Sequence, residues 1–213
     1  MKKLASYIIP FTKTISSKIS GTLEITWING KKVLDSQNAN YSYGSLQRVL
    51  EYGISKIYFD SKSDILVLGL GAGSVLHSLR KKFKHQGSIT AVELDPVAID
   101  LAKHEFEVDS LDNITIIESD AFDYVAHSKN TYHFIIVDLF IDDQVPESFY
   151  SQEFWDHIIS ILKPKGTVLF NAGIQLKNHQ KLEQLIALYT DTMVFNIHNE
   201  VLGTNTLVIG RKQ

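Results

Sequence analysis

The stretch "ILVLGLGAGS", from Ile65 to Ser74, decides the fold. It begins as an apolar run with the character of a strand and ends in glycines at alternate positions, Gly69, Gly71 and Gly73. Glycine permits positive φ angles and a close approach of the backbone to a ligand, so the stretch predicts a buried strand followed by a nucleotide-binding turn. A dinucleotide fingerprint, G-x-G-x-x-G, would require glycine at the position of Ser74. The turn therefore favours a nucleoside cofactor, and a tight turn without a ligand is the alternative interpretation.

Short apolar runs alternate with helical patterns from Asp64 onward, which indicates a parallel sheet covered by helices on both faces. The strands predicted after the first are "SITAVEL", "NITIIES", "HFIIVDLF" and "GTVLFNAG". The runs "TMVFNIHNE" and "TNTLVIGRK" follow and are joined by a segment too short for a crossover, so they form an antiparallel hairpin. This order resembles the class I methyltransferase sheet. We therefore predict an α/β, Rossmann-like fold with a seven-stranded, mostly parallel sheet whose last strand is antiparallel.

The first 60 residues have a different pattern. "GTLEITWINGKKVLDS" has two strand-like runs around Asn29-Gly30, a strong hairpin signal, and "YGSLQRVLEYGI" has a helical pattern. We predict an extension of a β-hairpin and a helix over residues 1–60, and the main domain over residues 61–213. A lone hairpin is marginally stable in water. The extension therefore packs either on the main domain or on another subunit, and in the second case the protein is a homodimer.

The composition narrows the classes of partner and site. The 213 residues carry a formal net charge of −3 without a long basic run, so we expect neither a nucleic acid nor a membrane as a partner. The chain has no cysteine, which excludes disulfides and thiolate ligands, and its histidines lack metal-ligand spacing. No apolar run approaches the roughly 20 residues that span a bilayer. We expect a cytoplasmic protein that acts on a small molecule without a metal ion.

Acidic residues follow the predicted strands where a nucleoside cofactor needs them. Glu93 ends the second strand, and its carboxylate can accept hydrogen bonds from both ribose hydroxyls; a solvated strand end is the alternative. Asp120 begins the helix after the third strand, where aspartate is also a common N-cap. We include their neighbours Leu94 and Ala121, together with Ala72 of the glycine turn, in the predicted cofactor site.

Nearly the whole chain resembles the spermidine synthase family, which combines the methyltransferase fold with an N-terminal β-rich extension. The resemblance is carried by "GTLEITWINGKKVLDSQNANYSYG", "ILVLGLGAGSVLHSL", "ITAVELDPVAIDLA" and "FIIVDLFIDDQVPESFYSQEFW". It implies an enzyme that uses S-adenosylmethionine or its decarboxylated form, with Asp120 at the adenine amino group. It also implies that Asp138, at the carboxyl end of the fourth strand, takes a proton from the attacking amine. A purely structural strand-end carboxylate is the alternative role for Asp138.

The chain departs from the aminopropyltransferases of this family in two motifs. Their turn, G-G-G-D-G-G, contains an aspartate that holds the amino group of the aminopropyl chain, and this chain has Ala72 there. A carboxylate at that position would oppose the carboxylate of intact S-adenosylmethionine, so the alanine favours a methyl donor. The family motif D-S-S-D-P-x-G-P is replaced by "DLFIDDQVP", in which Asp142 or Asp143 matches the second aspartate only with a one-residue insertion.

Three functions follow from these residues. We favour an S-adenosylmethionine-dependent methyltransferase with Asp138 as the base and cofactor ligand, and with Asp142, Asp143 and Tyr43 in the substrate site. The acidic residues Asp138, Asp142, Asp143 and Glu147 suggest a cationic or amine substrate, and a solvated loop explains the last three equally well. The first alternative is an aminopropyltransferase that makes a polyamine from decarboxylated S-adenosylmethionine. The second is a relative that binds the cofactor without catalysis and uses its N-terminal hairpin as an interface.

Overall fold

The computed structural model describes residues 2–36, 40–42, 44–141, 144–174 and 179–213. The helices are α1 (Lys2–Ala5), α2 (Gly44–Ser55), α3 (Ser74–His77), α4 (Pro96–His104), α5 (Ala121–His127), α6 (Gln152–Ile161) and α7 (His179–Leu188). The strands are β1 (Phe11–Ser17), β2 (Gly21–Ile28), β3 (Lys31–Ser36), β4 (Asn40–Ser42), β5 (Ile65–Leu68), β6 (Ile89–Glu93), β7 (Ile114–Glu118), β8 (Tyr132–Val137), β9 (Leu162–Ile174), β10 (Met193–Val201) and β11 (Asn205–Lys212). None of the described helices combines the length and the apolar character that crossing a bilayer requires.

Seven strands form the central sheet in the order β10-β11-β9-β8-β5-β6-β7. Strands β5 to β9 pair in parallel, whereas β11 pairs antiparallel with both β9 and β10. This confirms the predicted fold and the closing hairpin. The chain runs outward from β5 in both directions, to β6 on one side and to β8 on the other. The switch point of the sheet therefore lies at the carboxyl end of β5, where a ligand crevice is expected.

The central sheet is buried because helices cover both of its faces. All four residues of β5 are buried, as their continuous apolar run predicts. One face packs against α5, α6 and α7, with Phe154 and Trp155 fully enclosed. The other face packs against α2, α3 and α4. Each fully buried large apolar side chain contributes about 2–3 kcal/mol by leaving water, so the covered sheet is the main source of stability.

The N-terminal extension is larger than the predicted hairpin. Strands β2 and β3 pair around Asn29-Gly30 as predicted, and β1 and β4 extend the pair to a four-stranded antiparallel sheet. Strand β1 escaped prediction because its sequence, "FTKTISS", is largely polar and exposed. The extension therefore forms its own small sheet, called the N-terminal sheet below.

Apolar contacts and an ion pair attach the N-terminal sheet to the main domain. Three of its side chains share a small core with the glycine turn and α4: Leu23, Ile25 and Leu34 pack with Ala72, Leu101 and Phe106. At the edge of this core, Lys32 Nζ lies 2.8 Å from Glu105 Oε2 and donates to the Glu105 backbone oxygen at 2.7 Å. The extension thus packs on the main domain, while the boundary at residue 60 and a homodimer stay predictions.

Candidate active site

A cleft of about 720 Å³ lies at the carboxyl ends of β5, β6, β7 and β8. This size is typical of sites for small molecules and cofactors. The residues that follow these strands line it: Gly69, Glu93, Asp120 and Asp138. The N-terminal sheet and α2 contribute further lining residues: Ser20, Gly21, Ser36, Ser42, Ser45 and Leu46. The cleft therefore lies at the switch point of the sheet and lies partly under the N-terminal sheet.

The first two glycines of the turn line the cleft for different physical reasons. Gly69 has a φ of +90°, and a Cβ at this position would collide with the backbone carbonyl oxygen of Asp138. Glycine thus allows the ends of β5 and β8 to approach each other. Gly71 has a φ of +51°, and its N–H donates to Glu93 Oε2 at 2.9 Å. The turn is shaped by its two neighbouring strands as much as by a ligand.

The next two residues of the turn, Ala72 and Gly73, do not line the cleft. The Ala72 side chain is 0% exposed and lies in the small core beneath the N-terminal sheet. A Cβ on Gly73 would collide with the Val108 side chain, so this glycine permits packing against the segment after α4. The N-terminal sheet and Val108 cover the side of the turn on which the Ala72 side chain and the Cα of Gly73 lie. The predicted contacts of these two residues with a cofactor stay predictions.

Glu93, at the end of β6, is a buried carboxylate held by backbone groups. Its Oε2 accepts from Gly71 N, and its Oε1 accepts from Leu94 N at 2.9 Å and from Asp95 N at 3.0 Å. Burial raises the pKa of Glu93, and these three hydrogen bonds act against the rise. A carboxylate has about four acceptor positions, so about one is left for a ligand. Glu93 therefore holds the turn through backbone hydrogen bonds, and its predicted contacts with ribose hydroxyls stay predictions.

Asp120 is the N-cap of α5, which is the alternative role that the sequence allowed. Its Oδ1 accepts from Phe122 N at 2.7 Å and from Asp123 N at 3.2 Å. No described group donates to Oδ2, and the residue lines the cleft. One oxygen therefore caps the helix, and the other is open to an amino group. Leu94, 45% exposed, and Ala121 line the same part of the cleft wall as their neighbours Glu93 and Asp120.

Asp138, directly after β8, has fewer hydrogen bonds than Glu93. Its Oδ1 accepts from Asn171 Nδ2 at 2.8 Å, and no described side chain donates to Oδ2. Burial raises the pKa of Asp138 from 3.8 to about 6, and the Asn171 hydrogen bond acts against the rise. A carboxyl group whose pKa lies near neutrality is suited to accept and release a proton. The predicted role of Asp138 as a base stays a prediction, and its raised pKa is compatible with that role.

Apolar side chains line the cleft on the segments that follow β8 and β9. Leu139, Phe140 and Ile141 continue the chain from Asp138, and Phe149 and Ile174 add to the same lining. Such a surface favours a ligand with an apolar part, because burying a charged group there without a partner is costly. Apart from Asp138 and Ser148, the described lining residues between Asp138 and Phe149 are therefore apolar.

Three predicted substrate residues, Tyr43, Asp142 and Asp143, lie outside the described residues. Their contacts with a substrate stay predictions. In the sequence, Asp142 and Asp143 come directly after Ile141, and Ile141 lines the cleft.

Sequence reasoning missed a pair of buried amides beside Asp138. Asn171 lies in β9 and is 0% exposed, and it connects Asp138 to Asn205 at the start of β11. The available signal was a polar residue inside the apolar run "VLFNAG", since a buried amide is unfavourable unless it is hydrogen-bonded. The serines of the N-terminal sheet gave no comparable signal.

The described residues contain no cluster of three or more side chains that could hold a metal ion. Two buried histidines contact backbone oxygens instead: a ring nitrogen of His77 lies 2.7 Å from the Phe106 oxygen, and one of His85 lies 2.7 Å from the Ser63 oxygen. Burial lowers the pKa of both histidines. Burial thus favours the neutral form of both side chains.

A solved structure shares this fold over nearly the whole chain. The crystal structure of a probable spermidine synthase from Corynebacterium glutamicum ATCC 13032 superposes with a TM-score of 0.67 and covers 96% of this chain and 77% of that chain. The sequence identity is 18%. At this identity the likeness shows the fold alone.

Curated relatives carry two kinds of name. The eEF1A lysine and N-terminal methyltransferase homolog of Drosophila melanogaster is 31% identical over 121 residues, which are 53% of this chain and 18% of that protein. Polyamine aminopropyltransferase 2 of Aquifex aeolicus is 35% identical over 117 residues, which are 51% of this chain and 23% of that protein. The chain thus spans less than a quarter of the length of each relative, and their names divide between methyl and aminopropyl transfer.

The matching family model has the description "Spermine/spermidine synthase domain" and matches residues 53–207. This span is more than half of the chain. It begins within α2 and contains the glycine turn, the three strand-end carboxylates and both buried amides. The resemblance noted in the sequence is thereby confirmed, and the chain belongs to the spermine/spermidine synthase family.

Proposed function

We propose that this chain is an S-adenosylmethionine-dependent methyltransferase that acts on a small molecule. The observation that carries the proposal is the set of three carboxylates, Glu93, Asp120 and Asp138, at the ends of neighbouring strands around one cleft. Two of them offer acceptors to a nucleoside, and the third has the raised pKa of a base. Transfer of an alkyl group from an adenosyl sulfonium is common to both kinds of relative. A transferase that uses an adenosyl sulfonium therefore agrees with the names of both kinds of relative, and the choice of the methyl group is the narrower part of the proposal.

The lining of the cleft fits an adenosyl cofactor. Glu93 keeps about one acceptor position for a ribose hydroxyl, and Asp120 Oδ2 is open to the adenine amino group. The partly exposed side chain of Leu94 offers apolar surface to a flat ring. No described lysine or arginine lines the cleft, so its charge is negative and complements a sulfonium cation. Size, polarity and charge agree with the cofactor.

When bound, S-adenosylmethionine would supply an electrophilic methyl carbon, to which the acceptor lone pair would bond as the carbon–sulfur bond breaks and S-adenosylhomocysteine leaves. The protein aligns the reactants and accepts the proton that the acceptor loses. Because Asn171 occupies Oδ1 of Asp138, Oδ2 is the oxygen that takes this proton. Proton removal by a positioned base contributes about 10²–10⁴-fold to the rate. Asp138 is therefore the proposed catalytic residue.

The surroundings of Ala72 support a methyl donor over an aminopropyl donor. The aspartate that aminopropyltransferases carry at this position would lie here in an apolar core with Leu23 and Phe106. Burying a carboxylate without partners costs several kcal/mol, so this chain is not built to present one there. Among the described lining residues, Asp138 is also the only carboxylate beyond the two assigned to adenosine. Intact S-adenosylmethionine needs no further carboxylate, whereas an aminopropyl chain carries an ammonium group.

We propose an amine with an apolar part as the acceptor. Its nitrogen would face Asp138, and its apolar part would contact Phe140, Phe149 and Ile174 of the lining. The predicted contacts of Asp142 and Asp143 with the amine belong to this proposal.

Isothermal titration calorimetry with intact S-adenosylmethionine, S-adenosylhomocysteine and decarboxylated S-adenosylmethionine tests the donor. We expect the intact donor to bind about tenfold or more tightly than the decarboxylated one, a difference of about 1.4 kcal/mol. NAD serves as the dinucleotide control and is expected not to bind. The reverse order of the two donors would favour aminopropyl transfer. No binding of any adenosyl ligand by the folded protein would overturn the proposal.

Mass spectrometry of mixtures with methyl-labelled S-adenosylmethionine and a panel of apolar amines, polyamines and phenols tests the acceptor. We expect label on an apolar amine and an equal amount of S-adenosylhomocysteine. Tight cofactor binding without turnover across the panel would favour the non-catalytic alternative.

A further inference from the structure

We propose that Asn171 and Asn205 are positioning residues that orient the Asp138 carboxylate and tune its proton affinity. The inference rests on the proposed role of Asp138 as the base and extends it to β9 and β11. Three hydrogen bonds in series carry it. Thr204 Oγ1 donates to Asn205 Oδ1 at 2.7 Å, Asn205 Nδ2 donates to Asn171 Oδ1 at 3.0 Å, and Asn171 Nδ2 donates to Asp138 Oδ1 at 2.8 Å.

The charge of Asp138 fixes the direction of this series. An ionised carboxylate can only accept, so Asn171 must present its NH₂ group to Asp138 and its oxygen to Asn205. Asn205 must then present its own NH₂ group to Asn171, which leaves its oxygen to the Thr204 hydroxyl. All three donors point toward the carboxylate, and aligned hydrogen bonds polarise one another. A change in the charge of Asp138 therefore affects residues that do not touch it.

A β-bulge aims Asn205 at Asn171. In the pairing of β11 with β9, Leu207 lies opposite Asn171 and Asn205 lies opposite Ile174. A regular antiparallel continuation would place Asn205 opposite Gly173, so the register shifts by one residue between positions 205 and 207. Bulges of this kind redirect side chains and are frequent beside active sites. The backbone is thus shaped to make the contact between the two amides.

The burial of the Asn171 and Asn205 side chains also supports a role in positioning Asp138. Asn171 is 0% exposed and Asn205 is 4% exposed, and their strand neighbours Phe170 and Leu207 belong to the apolar core. Packing alone would place apolar side chains here, because a buried amide is unfavourable unless it is hydrogen-bonded. Asn205 and Thr204 also line the cleft. The series of hydrogen bonds therefore begins at the cleft lining, at Thr204 and Asn205, and ends at Oδ1 of Asp138. Oδ2 is the oxygen proposed to take the proton of the substrate.

Few other charges bear on Asp138. The remaining carboxylates of the described lining are Glu93 and Asp120, and no described lysine, arginine or histidine lines the cleft. Burial raises the pKa of Asp138, and the hydrogen bond from Asn171 lowers it. Asp142 and Asp143 follow in the sequence and lie outside the described residues. A variant with Asp142→Asn and Asp143→Asn therefore serves as a background that removes their charges.

An NMR titration of the labelled, ligand-free protein from about pH 4 to pH 8 tests the series directly. We expect the side-chain amide signals of Asn171 and Asn205 to move with the same midpoint as the Asp138 carboxyl carbon. Asp138→Asn should remove that midpoint from both amides. Asn199 is the matched control, because its Oδ1 accepts from Thr206 on the same hairpin at 3.4 Å and has no link to Asp138. An Asn205 amide that does not follow Asp138 overturns the proposal.

Two leucine substitutions then measure the tuning, since leucine has nearly the shape of asparagine but no donor. Asn171→Leu should raise the Asp138 midpoint by about one to two pH units, because it removes a hydrogen bond to a charged group. Asn205→Leu keeps the Asn171 side chain as the donor to Asp138 but removes the hydrogen bond that orients it. This variant should raise the midpoint by about half a pH unit. Thr206→Val, which removes a buried hydroxyl beside the series, should leave the midpoint unchanged.

An unchanged midpoint in both leucine variants overturns the proposal. If Asn171→Leu fails to fold, Asn205→Leu and the wild-type amide signals still decide. The readout needs no cofactor, so a failure here is distinct from a failure of the proposed function, which the calorimetric titration measures.

Discussion

The two ends of the cleft hold carboxylates in different surroundings. At the end proposed to bind adenosine, called the adenosine end, Glu93 accepts three backbone N–H groups. At the end proposed for group transfer, called the transfer end, Asp138 accepts one side-chain N–H group, and its Oδ2 has no described side-chain donor. Burial raises the pKa of both. The comparison teaches that two carboxylates in one cleft, both with a raised pKa, differ in the number and the kind of the groups that donate to them.

The largest expected effect is that of Asp138→Asn at the transfer end. Methyl transfer should fall about 10²–10⁴-fold because the base is lost. The affinity for S-adenosylmethionine should stay within about threefold, a difference of less than 1 kcal/mol. Quantifying S-adenosylhomocysteine with an acceptor of the wild-type protein, together with calorimetry, measures both quantities. Retained activity would show that Asp138 is not the base and would remove the contrast between the two ends.

A pair of glycine substitutions tests the point where β5 meets the transfer end. Gly69→Ala should destabilise the protein by about 3–4 kcal/mol, because a positive φ is combined with a collision against the Asp138 backbone oxygen. Gly203→Ala is the matched control: its φ is +80°, but nothing lies within 4 Å of an added Cβ. We expect that control to cost about 1–2 kcal/mol. Equal losses in urea unfolding would show that the close approach at Gly69 is unimportant.

At the adenosine end, Glu93→Gln should lower the free energy of unfolding by about 2–3 kcal/mol, because one amide oxygen replaces two charged acceptors. It should also weaken cofactor binding. Asp120→Asn is the control, since asparagine is an equally good N-cap and stability should change by less than about 0.5 kcal/mol. Urea unfolding and calorimetry measure these effects. A fully stable Glu93→Gln protein would mean that the backbone donors do not depend on the charge.

The pH dependence of the free energy of unfolding tests the raised pKa of Asp138. Burial raises the pKa of Asp138 from 3.8 to about 6, so the folded protein binds this proton more tightly than the unfolded chain does. The wild type should therefore lose stability relative to Asp138→Asn as the pH rises from about 4 to 6, by on the order of 2 kcal/mol. Urea unfolding of both proteins across this range measures the difference. A difference that does not change with pH would contradict the raised pKa.

The fold and the strand-end carboxylates were predictable because their signals are local. Continuous apolar runs mark buried parallel strands, and the short connection between the last two runs requires a hairpin. Glu93, Asp120 and Asp138 were found because each follows a strand at the edge where open α/β sheets bind ligands. Position along the chain was sufficient for these residues.

Other features depend on contacts between distant parts of the chain. The Ala72 side chain packs against the N-terminal sheet, of which the sequence indicated only a hairpin. The contact of Asn205 with Asn171 depends on a β-bulge between β9 and β11. The number of acceptor positions that Glu93 leaves free depends on how the chain turns after β6. Periodicity and motif spacing carry no information about these contacts.

The burial of Ala72 has an evolutionary consequence. Under the proposed function, the residue at this position favours a methyl donor over an aminopropyl donor. In this chain a single change to aspartate would place a charge beneath the N-terminal sheet, against Leu23, Ile25 and Leu34. Lineages with this architecture would need to repack that sheet before they could change donor. If the proposed function holds, the N-terminal sheet therefore restricts the change of donor that a single mutation at this position could bring.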